Sequence, residues 1–142
     1  MKNLTTKMMI AAAAFVAAAG VASAQTMEAK IPFAFRASGK IFEPGTYRVQ
    51  LQRSGGSPLV VIGNREPGDS VLAMAYGSED PKKTWKTGDG VLSFQCGTGP
   101  CALRGVWMGD ESMPVYRLSV PKLGRDEPNS VAEIVMHSAK SE

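Results

Sequence analysis

From Thr46 to Gln52 apolar and polar side chains alternate without a break: Tyr47, Val49 and Leu51 on one side, Thr46, Arg48, Gln50 and Gln52 on the other. Only an extended backbone sends successive side chains to opposite faces, so this period of two dictates a strand with one buried face. The same alternation returns at short intervals. Ile31, Phe33 and Phe35 share one parity; Leu92, Phe94 and Cys96 alternate with Ser93 and Gln95; Tyr116, Leu118 and Val120 alternate with Val115, Arg117 and Ser119. Leu59 to Ile62 is apolar throughout, as in a strand covered on both faces. Within Val71 to Tyr76, Leu72, Met74 and Tyr76 fall on one side, and Cys101 to Met108 reads as the return strand of a hairpin.

Turn chemistry separates these runs. Ser38-Gly39 suits a two-residue hairpin loop. Glu43-Pro44-Gly45-Thr46 fits a type II turn, with Gly45 taking the positive φ. Residues 77–90, GSEDPKKTWKTGDG, are polar and read as loop. The tail is ambiguous: over 129–139, Ala132, Ile134 and Met136 alternate like a strand, while Val131, Ile134, Val135 and Ser138 fit one helical face. A strand is preferred there because every upstream segment is β-like. The pattern predicts an all-β domain, a small antiparallel β-sandwich or closed barrel of seven to eight short strands.

The first residues belong to a different object. Lys2 and Lys7 precede an uncharged apolar run, residues 8–22, and Ala22-Ser23-Ala24 supplies the small residues a signal peptidase reads. Residues 1–24 are therefore expected to be a signal peptide cut between Ala24 and Gln25. The apolar run is shorter than the roughly 20 residues a spanning helix needs, so no transmembrane segment is expected in the mature chain. Residues 25–142 suit a single β domain, exported to the periplasm or the cell exterior. The signal holds two lysines and no acid, so its removal lowers the formal net charge from +3 to +1. A near-neutral chain has no general electrostatic pull toward nucleic acid, and none is expected as a partner.

Cys96 and Cys101, in CGTGPC, are the only two cysteines. In an oxidising compartment they read as a disulfide. The four-residue spacer is neither a CxxC redox motif nor a haem-attachment CxxCH. No other Cys or neighbouring His completes a metal site.

Few residues suggest chemistry. His137 is the one histidine and has no evident catalytic partner in the sequence. The acidic pairs Glu79-Asp80, Asp110-Glu111 and Asp126-Glu127 sit in turn-like surroundings, and no DxDxDG calcium loop occurs. Met27, Met74, Met108, Met113 and Met136 are scattered and read as core filling rather than copper ligands. Gly88-Asp89-Gly90 lacks the Lys-Ser/Thr of a phosphate loop. No cofactor is expected. The cluster Lys82, Lys83, Trp85 and Lys86 is the candidate ligand loop: a Trp among lysines can stack on a sugar or base, sit at a lipid headgroup layer, or fold back as a lid on the core while the lysines stay wet. Ile31, Phe33 and Phe35 form a candidate edge strand, since Pro32 has no N–H to give a ladder.

The stretch IPFAFRASGKIFEPGTYRVQ, residues 31–50, resembles the N-terminal signature of a family of small exported bacterial proteins, PFxFxxxGKxLPAGxYxV just after a signal peptide. Pro32-Phe33, Phe35, Gly39-Lys40, Pro44, Gly45, Tyr47 and Val49 match. Phe42 replaces the usual Leu, Glu43-Pro44-Gly45 replaces Pro-Ala-Gly, and CGTGPC is foreign to the pattern. The resemblance implies an exported small β domain and no activity; no catalytic or binding residue carries over. The expected function is that of a non-enzymatic binding or structural module, with cell-envelope polysaccharide or another exported protein as partner. Assembly or partner capture through the edge strand, and a small secreted hydrolase, are the alternatives.

Overall fold

The computed structural model describes residues 26–54, 57–64 and 70–139. The expected signal peptide and its cleavage site lie outside the described residues. Ten strands succeed one another: β1 (Thr26–Ile31), β2 (Phe35–Ala37), β3 (Lys40–Phe42), β4 (Gly45–Ser54), β5 (Ser57–Gly63), β6 (Ser70–Glu79), β7 (Gly90–Cys96), β8 (Cys101–Trp107), β9 (Val115–Leu118) and β10 (Ser130–Ser138). Eight of them close an antiparallel barrel in the order β8-β7-β10-β1-β4-β5-β6-β9, with β9 returning to β8. The tail is thus a strand, wedged between β7 and β1.

The remaining two strands share the last slot of the wall. The second half of β8 pairs with β9 through Gly105↔Arg117 and Val106↔Tyr116. Its first half pairs in parallel with β2 through Phe35↔Cys101 and Arg36↔Ala102. β2 and β3 form the expected hairpin, its loop made of Ser38 (φ 50°) and Gly39 (φ 80°). Positive φ at both loop residues matches the right-handed twist of the strands they join.

Alternation decides what lies inside. Met27, Ala29 and Ile31 of β1, Tyr47 and Val49 of β4, Val60 and Ile62 of β5, Leu92 and Phe94 of β7, and Met136 of β10 are buried in one apolar core. Each large side chain removed from water contributes about 1.5–3 kcal/mol before the entropy of ordering is subtracted. The β2–β3 hairpin adds aromatic mass to this core: Phe35 stacks on Phe42 at 5.1 Å and meets Tyr47 and Phe94 edge-on at 5.1 and 5.5 Å. A bulge aids the packing. Leu92 and Phe94, two apart on β7, oppose Val106 and Leu103, three apart on β8. The extra residue lets Leu103 and Val106, of opposite parity, both turn inward. The apolar-in arrangement is the reverse of a membrane-spanning barrel with a polar lumen. Among the described residues no helix is long and apolar enough to cross a membrane.

Four expectations need correction. The first concerns the edge. Met27 and Glu28 of β1 are paired on both sides, by β10 and β4, while Ile31 and Phe35 are buried and Phe33 packs edge-on against Phe94 at 5.0 Å. The apolar side chains named for capture thus serve the core, while among the described residues the ladder partners of Ala29–Ile31 lie in β4 alone. The second is the turn at Glu43-Pro44. Gly45 does not take a positive φ; it is already the first residue of β4, opposite Ile31. Third, β6 runs to Glu79, so the polar loop is shorter than expected and spans 80–89. Fourth, Met74 fills no core: it is 65% exposed, beside Leu72 at 58% and Tyr76 at 64%.

Candidate functional site

The disulfide Cys96–Cys101 closes the end of the β7–β8 hairpin. At the opposite end of β8, the outward parity carries a second, smaller apolar cluster. Val91 of β7 faces Trp107 of β8 across the ladder, Val115 of β9 packs beside them, and all three are buried. Residues so apolar on an outer face need a cover, and loop 80–89 provides it through Trp85.

The loop is shaped by its own backbone bonds. Trp85 N–H donates to the Lys82 carbonyl at 3.0 Å, and Asp89 N–H to that of Lys86 at 3.3 Å. Gly88 N–H reaches the Gly109 carbonyl at 2.8 Å, which ties the loop to the turn after β8. The approach there demands glycine: Gly109 has φ 89°, and a Cβ on it would lie 3.0 Å from the Asp89 carbonyl.

Side chains fix the indole. Its ring stacks on Trp107 with centroids 5.7 Å apart, and its Nε1–H donates to Glu133 Oε2 of β10 at 3.0 Å. The Lys82 ammonium lies 3.1 Å from that same oxygen and 5.8 Å from the Trp85 ring centre. The Trp107 Nε1–H is shared between the carbonyls of Asp110 and Met113, at 3.1 and 3.2 Å. Asp110 holds this turn in shape by accepting from the backbone N–H and the hydroxyl of Ser112 at 2.9 and 2.8 Å. Those two bonds, the backbone one foremost, lower its carboxyl below the ordinary carboxylate range.

Trp85 therefore stands as a partition between two hollows. One, of about 280 Å³, is lined by Thr84, Trp85, Lys86, Asp89, Val91 and Val135. The other, of about 170 Å³, lies among Lys82, Lys83, Trp85, Thr87, Trp107 and Glu111. The Thr87 hydroxyl donates to Glu111 at 2.8 Å across the second hollow. The site combines an anchored aromatic, cations on both rims, and carboxylate and hydroxyl groups able to bond a polyol.

The four loop residues singled out from the sequence thus all belong to this surface. Lys82 and Trp85 meet at Glu133, while Lys83 and Lys86 stay exposed, one beside each hollow. Sequence reasoning missed Trp107, Glu111, Glu133 and Val135. Glu133 had one signal: it sits on the tail parity opposite Ala132, Ile134 and Met136, between Val131 and Val135. His137 has a partner that the sequence did not reveal, with Nδ1 3.3 Å from Asp89 Oδ1, both groups exposed. Among the described residues no three His, Cys, Asp or Glu side chains converge on a metal-sized site. Comparison with protein-family models, curated proteins and solved structures finds no match to this chain.

Proposed function

We propose that the chain is an exported, non-enzymatic binding barrel that takes polysaccharide of the cell envelope on the Trp85 surface. One observation carries the reading: Trp85, stacked on Trp107 and bonded to Glu133, lines two hollows, with hydroxyl, carboxylate and ammonium groups around both. A sugar offers an apolar C–H face and a rim of hydroxyls, which an aromatic partition edged with polar groups complements. Export rests on the signal-like residues 1–24 and accords with the disulfide, which persists in an oxidising compartment. The likeness of residues 31–50 to small exported bacterial proteins supports the same location.

Affinity electrophoresis of the mature chain in gels containing defined envelope polysaccharides tests the reading. The variant is Val135→Arg, at a half-exposed outer position of β10 that lines the larger hollow. Retarded migration of the natural chain, with free migration and unchanged melting of the variant, is the expected result. Equal retardation of the two, or none, each measured against its own migration in a polysaccharide-free gel, sinks it.

A further inference from the structure

On the outer face of the β7-β8-β2-β3 segment, away from Trp85, a chain of hollows runs beneath residues 119–127. Three concavities of about 240, 510 and 460 Å³ adjoin one another through the shared residues Arg36, Gln95, Pro121 and Lys122. One wall is the disulfide loop. It fits closely: a Cβ on Gly97 would lie 2.8 Å from Leu123 Cδ2 and 3.0 Å from Glu127 Oε2.

Arg36 is the central group of this groove. Phe35 and Ala37 on either side of it are buried in the core, so β2 sends Arg36 outward, beneath residues 119–121. Its Nε is shut off from solvent and has no hydrogen-bond partner. Arg36 is half-buried and lines two of the three hollows, and with no protein acceptor at Nε a small rotation of its guanidinium can turn that N–H toward an arriving oxygen, which recovers the free energy of the unmade bond. Lys122 and Arg125 add positive charge along the same channel, against Glu127 alone. Among the described residues neither Arg36 nor Lys122 is in an ion pair. Thr98, Ser38 and Ser119 bring hydroxyls to the rim, and Gln95 an amide.

We propose that this groove is an oxyanion site, with Arg36 as the anchor that takes a carboxylate or phosphate group and Lys122 as the second cation. The planar guanidinium suits two-oxygen acceptors of this kind. The oxyanion is either free, as on a small organic acid, or carried on a polymer such as a uronate chain. The site is separate from the Trp85 surface and does not depend on its function.

Calorimetric titration of the mature chain with inorganic phosphate, citrate and polygalacturonate tests the assignment and separates the two sources. Saturable binding of phosphate or citrate assigns a free oxyanion; saturation by the polymer alone assigns a carried one. In either case Arg36→Gln weakens binding at least tenfold and Lys122→Gln weakens it less. Lys30→Gln, on the exposed side of β1, leaves it unchanged. Should Arg36→Gln fail to fold, Lys122→Glu, at an exposed position, serves in its place and must abolish the binding. The proposal falls if none of the three probes binds saturably, or if the Arg36 and Lys122 variants bind as the natural chain does.

Discussion

The indole rings of Trp85 and Trp107 stack 5.7 Å apart with their planes 30° from parallel, and only Trp107 is fully buried. The pair is hierarchical. Trp107 belongs to the barrel wall; Trp85 belongs to a loop and depends on it. Trp107→Ala should cost about 3–5 kcal/mol, as for other buried aromatics. Trp85→Ala gives up the stack and the bond to Glu133 and should cost about 1–2 kcal/mol. Chemical denaturation of the two variants checks the order; a Trp85→Ala loss equal to that of Trp107→Ala contradicts it.

Reducing the disulfide, or replacing both cysteines by serine, should lower stability by about 2 kcal/mol, the value for so short a loop on the chain-entropy model. The barrel itself should survive, because β7 and β8 stay paired from Val91↔Trp107 to Gln95↔Ala102 without it. Far-ultraviolet circular dichroism of the reduced chain at room temperature checks the second point, and its melting curve the first.

Gly90 opens β7 with almost no space around it. A Cβ there would meet the Trp107 carbonyl oxygen and Met136 Cε, each at 2.7 Å. The methionine can swing away, but the carbonyl is part of the β7–β8 wall and cannot. Gly90→Ala should therefore destabilise by about 1–3 kcal/mol, the usual cost of overpacking. Gly99→Ala, where a Cβ would find open space, is the control and should be near neutral. Thermal melting of both variants distinguishes them.

The turn after β8 should respond to acid. Asp110 is fully exposed and its carboxyl is lowered by the Ser112 bonds, so its ionised form is favoured when folded. A depressed carboxylate adds stability that is complete above the unfolded value of 3.8 and is lost as pH falls through the folded one. Below pH 3.8 the turn that receives the Trp107 N–H should loosen, and Trp emission should shift. Asp110→Asn should flatten that shift; an unchanged shift in this variant argues against the assignment.

Much of the barrel was legible in the sequence because side-chain period and wall geometry coincide. Tyr47 and Val49 point inward as their alternation demands, Ser38-Gly39 makes its hairpin turn, and Ala132, Ile134 and Met136 settle the tail as a strand facing the core. The pattern failed on β6, where the more apolar parity faces water. Val71, Ala73 and Ala75 turn inward, and Leu72, Met74 and Tyr76 outward. Volume, not hydrophobicity, explains this: Phe35, Phe42, Tyr47 and Phe94 crowd the same core and leave room for small residues. The Trp85 site was half legible. Its loop was visible as a polar run, but Glu133 is 48 residues away and Trp107 sits on a strand whose outer face has no sign of its own in the sequence.

The outward stripe on β6 supplies one more expectation. Leu72→Gln and Met74→Gln should change stability by no more than about 0.5 kcal/mol, as exposed substitutions do. Ala73→Leu, between them and buried, should cost about 1–3 kcal/mol. Denaturant midpoints of the three variants decide whether β6 is in the register described.

The position of β10 has a temporal consequence. The last strand is the piece that joins β1, the first, to β7, and Ala139 N–H bonds the Thr26 carbonyl. Until residues 130–138 arrive, both neighbours lack a ladder partner on that side and the hydrophobic interior is open. Closure must bring together the two most distant ends of the folded sequence, a slow step by the entropy of joining remote segments. The wall therefore cannot become continuous from the amino-terminal side alone: residues 26–118 leave a slot one strand wide, and the nine residues of β10 set the moment at which the interior is sealed.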